Sequence, residues 1–202
     1  MNPIQTLDQD ERLVAELYRL DVRHLRRLAP IQSPGALEPA ELLAALAAHP
    51  QARFQASLIL VFLRHPEFSA ALATALEHLS APAADTLKLY YQAAAYLQRE
   101  LEPEVRSRLK NWTPLPDFFS AEFRLPPTES IVPGPRSSQA ALRAVGDIHR
   151  QRSGWAFNWA ESYRHYLPYF LKHLQAADGH LDTRTAHPLP DRISSIPTAW
   201  PS

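Results

Sequence analysis

Arg19 and His24 stand with four residues between them, a pairing in which a guanidinium could hold phosphate charge while an imidazole moves a proton. Arg143 and His149 offer the same two groups at slightly longer spacing. A second cluster lies toward the C-terminal end, where Trp155, Phe157, Trp159, Tyr163, Tyr166, Tyr169 and Phe170 crowd among Arg150, Arg152, Arg164 and Lys172. Rings interleaved with cations stack on and clamp single-stranded nucleic acid. They also anchor protein interfaces, where Trp, Tyr and Arg are enriched, and at helical spacing they pack against a bundle. Trp155, Trp159, Tyr163, Arg164 and Tyr166 are the residues expected to meet a partner.

Other chemistries find less support. The chain has nine histidines, and His165 with His173, or His173, His180 and His187, can be assembled into ligand sets. None has the tight helical spacing of a zinc protease, so no metal and no cofactor are expected. His49 and His65 are expected to cap or pack at helix corners. Gly134, Gly146 and Gly154 stand singly, with no Lys-Ser or Lys-Thr after any of them, which leaves no phosphate-cradling loop. Glu100, Glu102 and Glu104 surround Pro103 and are expected to form a solvated corner rather than a general acid–base pair. No nucleophile is apparent, and the absence of cysteine excludes thiolate chemistry, disulfides and Cys-ligated zinc.

The elements that would position these groups read as helices. Leu13, Leu17, Leu20, Leu25 and Leu28 predict an amphipathic helix over residues 8–29, its opposite face carrying Arg12, Glu16, Arg19, Arg23, Arg26 and Arg27. Pro39, Pro50, Pro66 and Pro82 follow at intervals of 11, 16 and 16 residues, each ahead of an apolar helical pattern. Proline suits a first helical turn because its missing N–H has no partner to lose there. Short helices are thus predicted over 41–49, 51–64, 67–80 and 83–101, the last continuing, kinked at Pro103, to 110. Residues 112–136 hold six prolines together with Trp112, Leu115, Phe118, Phe119, Phe123 and Leu125. They are too proline-rich for a helix and too apolar for a free linker, so an extended arm packed across the helices is expected. Helix is predicted again over 137–152 and 159–174, kinked at Pro168, and residues 176–202 read as a flexible tail.

The 202 residues are 46% hydrophobic and carry 21 basic and 21 acidic side chains, enough for one domain over 1–175 with no overall field toward nucleic acid or anionic lipid. The polar start, Met1 to Arg12, lacks a signal peptide's apolar core, and the longest apolar run, Leu58 to Leu63, is too short to span a bilayer. A cytoplasmic protein without membrane contact is expected.

The corners His49-Pro50 and His65-Pro66, with Arg53 and Ala56 after the first and Ala70 after the second, resemble HEAT-like helical repeats, in which stacked helix pairs present a groove to a partner. The block Leu89-Tyr90-Tyr91-Gln92-Ala93-Ala94-Ala95-Tyr96-Leu97-Gln98-Arg99, with Asn158 and Ser162-Tyr163, resembles uncharacterised all-α proteins that accompany small nucleotidyltransferases in toxin–antitoxin or defence pairs. The Arg19 and His24 spacing is similar to the active-site motif of HEPN-type ribonucleases. The fold expected is therefore all-α, a compact bundle of about six or seven helices with HEAT-like stacking and a Pro-rich arm. The leading functional expectation is a non-catalytic interaction module, the partner of a nucleotidyltransferase. The alternatives are a HEPN-like ribonuclease using Arg19 and His24, and a nucleic-acid-binding regulator using the C-terminal aromatic and basic residues.

Overall fold

The computed structural model describes residues 3–23, 25, 36–108, 113–154 and 170–171. These residues are all-α, with six α-helices and no strand among them. The helices are α1 (Pro3–Arg19), α2 (Pro39–Ala47), α3 (Ala52–Arg64), α4 (Leu72–Glu77), α5 (Ala81–Arg108) and α6 (Gln139–Ser153), with short 3-10 helices at Pro66–Ala71 and Thr128–Ser130. Pro39 opens α2, Pro66 opens the first 3-10 helix and Pro82 lies in the first turn of α5. Each proline thus sits where a helix has an N–H to spare.

The core is built on α3 and α5. In α3, Ser57 through Leu63 are all buried, which fits a helix enclosed on every side rather than an amphipathic surface helix. It packs against α2 and, most extensively, against α5, which in turn carries α6. Helix α5 is 28 residues long, about 42 Å at 1.5 Å per residue. Leu89 through Gln98 are buried all round, and the small Ala93, Ala94 and Ala95 let neighbouring chain approach closely. Phe62 of α3 meets Tyr91 of α5 edge-to-face, with ring centroids 5.0 Å apart, the arrangement favoured by aromatic quadrupoles. Among the described residues no single helix is long and apolar enough to cross a membrane.

Four expectations need correction. Helix α1 stops at Arg19 instead of running to residue 29. Asp21 adopts the left-handed conformation with φ 56°, Val22 N donates to Leu17 O (2.7 Å) and Asp21 N to Tyr18 O (3.0 Å). That is a Schellman closure, and Val22 is buried beside the leucines it follows. Asp tolerates the left-handed turn better than most residues, and its carboxylate takes Arg64 Nη2 at 2.5 Å.

Glu16, expected on the solvated basic face, is fully buried. Three residues after Leu13 and four before Leu20, it falls on the leucine side of the helix. Arg19 covers it, with Nε and Nη2 at 3.0 and 2.5 Å from Oε1, and this bond raises the Arg19 pKa.

The helix expected over 67–80 is split, because after the non-helical corner at His65 the chain starts on a bond from Phe68 N to His65 O (3.0 Å). That early closure winds Pro66–Ala71 as a 3-10 helix before α4 begins. The corner around Pro103 is solvated only in part, with Pro103 and Glu104 exposed. Glu100 and Glu102 are buried, and α5 continues past Pro103 to Arg108.

Candidate functional site

Residues 113–138 lie against α5, and how they are held defines the principal surface feature. The segment is rich in proline and wound irregularly, so many of its carbonyls have no ladder to join and need donors from elsewhere. The polar tips on one side of α5 supply them. Tyr91 Oη donates to Pro116 O (2.8 Å) and Tyr96 Oη to Pro126 O (2.6 Å). Gln92 Nε2 donates to Thr128 Oγ1 (3.1 Å), and Arg99 Nε to Thr128 O (3.1 Å). Gln98 works in the other direction, its Oε1 accepting from Leu115 N at 2.6 Å.

Pro103 adds a contact that a regular helix could not make. A residue at 103 would normally donate to Arg99 O four positions back, and proline cannot. Gly134 N takes that carbonyl instead, at 3.2 Å. Gly134 has φ 151°, a backbone shape that favours glycine, so the tight turn presenting its N–H depends on the missing side chain. Ser138 Oγ donates to Tyr96 O (2.6 Å) and closes the far end of the segment.

Two carboxylates organise these ties. Asp117 accepts from Ser120 N (3.1 Å) and from Thr128 N (2.6 Å), the latter eleven residues further along the chain. Burial pushes its pKa up, but the backbone and side-chain hydrogen bonds of Thr128 and Ser120 outweigh this and leave it below the ordinary value. Glu102 lies between Arg99 and Arg106, pairing with Arg99 Nη1 through Oε2 and with Arg106 Nε at 2.7 Å through Oε1. Burial raises its pKa, and the two arginines more than reverse that. Arg99 is thereby aimed at the segment, where Nη2 also reaches Glu129 O at 3.4 Å.

The inner side chains, Leu115, Phe119, Phe123 and Leu125, join the core. The outer side carries Phe118 and Val132, the two exposed large apolar residues among those described. Phe118 stacks on Tyr91 with centroids 5.6 Å apart.

A cleft of about 590 Å³ opens between the α2–α3 corner, the start of α5 and the end of α6. Several of its polar side chains are engaged within the protein, Gln55 with His49 O and Thr86 with Pro82 O. Asp85 pairs with Arg152, whose guanidinium lies over Phe123 at 5.1 Å from the ring centroid. Ser153 Oγ donates to His149 O (2.8 Å) while standing 3.2 Å from His149 Nδ1. The hydroxyl thus has both the carbonyl and the ring nitrogen within reach, and its shorter contact is to the carbonyl. His49 Nδ1 accepts from Gln51 N (3.1 Å), so Nε2 carries the proton and gives it to Asp10 Oδ1 at 2.9 Å. With both nitrogens occupied, this Asp–His pair ties α1 to the α2–α3 corner, and the imidazole has no free lone pair.

Arg19 is bound to Glu16, as above, and its presumptive partner His24 lies outside the described residues. Arg143 is exposed on α6 while His149 is buried, so that pair does not converge. Trp155, Trp159, Tyr163, Arg164 and Tyr166 lie outside the described residues, as do His165, His173, His180, His187 and the tail 176–202. Among the described residues no three His, Asp or Glu side chains are grouped to hold a metal ion.

Sequence reasoning did not assign the holding role to Tyr91, Gln92, Tyr96, Gln98 and Arg99. The available signal was a row of polar-tipped side chains on an otherwise apolar helix, followed by a proline-rich stretch with carbonyls in need of donors. Comparison of the chain with protein-family models, with curated proteins and with solved structures found no match.

Proposed function

We propose that the protein is a non-catalytic protein-interaction module whose docking surface is the outer side of residues 113–138. The reading is supported by the two-sidedness of that segment. Its inner side is bonded to α5, and its outer side holds Phe118 and Val132 in water at 53% and 77% exposure. A loop fixed on a rigid helix loses little conformational freedom when a partner arrives. Apolar side chains presented this way gain about 25 cal/mol for each Å² that docking buries. Recognition is commonly carried by loops positioned on a scaffold in this manner. The sequence resemblance makes a small nucleotidyltransferase the first partner to try.

The test is native affinity purification of the full chain from its source cell, with Val132→Asp as the comparison. The expected result is a protein in stoichiometric amount, bound at least about tenfold more weakly by the variant, as for an apolar interface anchor. Thermal unfolding of the variant should match that of the parent, since position 132 is exposed. Recovery of no stoichiometric protein overturns the reading. A complex indifferent to Val132→Asp and to Phe118→Ser moves the interface to another face, with Trp155, Trp159, Tyr163, Arg164 and Tyr166 as the next positions to change. Nucleic acid recovered without protein, bound less tightly as salt rises, would support the regulator instead.

A further inference from the structure

The two His-Pro corners hold α1 at its middle and at its C-terminal end, and their hydrogen bonds demand different protonation states. At the first, His49 Nδ1 accepts from a backbone N–H, so the ring must be neutral to keep both of its bonds. At the second, His65 Nε2 lies 3.0 Å from Leu20 O and Nδ1 lies 3.0 Å from Glu67 Oε1. A carbonyl and a carboxylate can only accept. Both bonds therefore exist together only when both ring nitrogens carry protons, that is, when His65 is an imidazolium.

The Leu20 carbonyl is one that a Schellman closure leaves without a helical donor, so His65 completes the end of α1. Glu67, ahead of α4, is the charged group bonded to the ring, and Arg64, the residue before His65, pairs with Asp21 just beyond α1. Asp21 is engaged by Arg64 at 2.5 Å and by Arg23 at 2.7 Å, and Glu67 is the carboxylate within bonding distance of the imidazole Nδ1.

We propose that His65 is a proton-operated clamp on the C-terminal end of α1. The protonated ring bridges Leu20 and Glu67. Loss of the Nδ1 proton sets a lone pair against the Glu67 carboxylate, breaks that side of the bridge and reduces the bond to Leu20 O from a charge-assisted to a neutral one. The clamp is complete while both ring nitrogens hold protons and loosens when one is lost, a change to be sought across about pH 5 to 8, where histidines in general change charge. His49, of the same dipeptide type, serves as an internal control, because its bonds require the neutral ring.

The experiment is nitrogen-resolved NMR of the full chain across that range, read together with amide exchange at Asp21 and Val22 corrected for the intrinsic rate. Two protonated ring nitrogens are expected at His65 at the acid end. Protection of those amides should fall about two- to fivefold as His65 loses its proton, the scale of a partly exposed ion pair. His49 should show a proton at Nε2 alone wherever its two bonds persist. His65→Gln retains a donor for Leu20 O and removes the charge, so the pH dependence of protection should vanish. A His65 ring singly protonated where protection is greatest overturns the proposal, as does an unchanged pH profile in His65→Gln. Should that variant fail to fold, the ring measurement on the parent protein decides alone.

Discussion

Arg124 stands at φ 54°, in a region that costs a residue with a Cβ about 1–2 kcal/mol. It closes a single turn by the same Schellman pattern that ends α1: Leu125 N donates to Ser120 O (2.8 Å) and Arg124 N to Ala121 O (3.2 Å). The side chain itself is exposed, so Arg124→Gly is expected to stabilise the protein by about 0.5–1 kcal/mol, net of glycine's greater freedom in the unfolded chain. Urea unfolding with an unchanged slope would measure this, and a destabilised variant would contradict the backbone argument.

Glu102 makes the opposite prediction. Glu102→Gln should cost about 1.5–3 kcal/mol at neutral pH, because a charged acceptor shared by two arginines is removed. Its folded pKa lies below the ordinary 4.5, so the stabilisation is complete above that value. It disappears as pH falls through the folded-state pKa. Parent and variant should therefore converge in acid, and a gap that stays constant with pH would show that packing rather than charge is being measured.

At the scale of elements, α5 serves both as the centre of the core and as the scaffold for residues 113–138. The proline at position 103 reconciles the two tasks. An interior proline weakens a helix by about 3 kcal/mol relative to alanine, yet here it leaves Arg99 O for Gly134 N. Pro103→Ala supplies an intrahelical N–H that competes for the same carbonyl. The helix should gain stability while the Gly134 amide loses protection against hydrogen exchange. If Gly134 stays as protected as in the parent, the carbonyl accepts both donors and proline is not what opens the site.

Helix α6 ends more conventionally. Gly154 takes the left-handed position at φ 73° and its N–H bonds to Arg150 O (2.9 Å), so glycine does there what Asp21 and Arg124 do at the cost of strain.

For the whole molecule, the described chain is a set of helices around α3 and α5 into which three tyrosines are sealed. Burial raises the pKa of Tyr90 and Tyr91 well beyond the ordinary 10.0, and burial with weaker opposing and reinforcing contacts takes Tyr96 to about 12. The unfolded chain ionises these phenols at their ordinary value, while the folded chain keeps them neutral. Stability from these groups is thus full below pH 10 and falls as pH rises toward the folded-state values. Ultraviolet titration should show three of the seven tyrosines appearing as phenolate only with loss of the helical circular dichroism. Smooth titration of all seven in a chain that stays helical would contradict this burial.

The positions of α2, α3, α5 and α6 were legible in the sequence, because helical periodicity, joined in α2 and α5 by a proline in the first turn, is a property of residues within a turn or two of one another. The all-α class followed from them. The end of α1, the burial of Glu16, the partners of His49 and His65, and the role of Arg99 were not legible. Asp10 meets His49 across 39 residues and Leu20 meets His65 across 45, and no local pattern encodes such a meeting. Local sequence decides where a helix forms and which groups its ends and prolines leave unsatisfied. Only the tertiary structure decides which distant side chain satisfies each of them, because a buried carbonyl or carboxylate must find a donor wherever packing brings one.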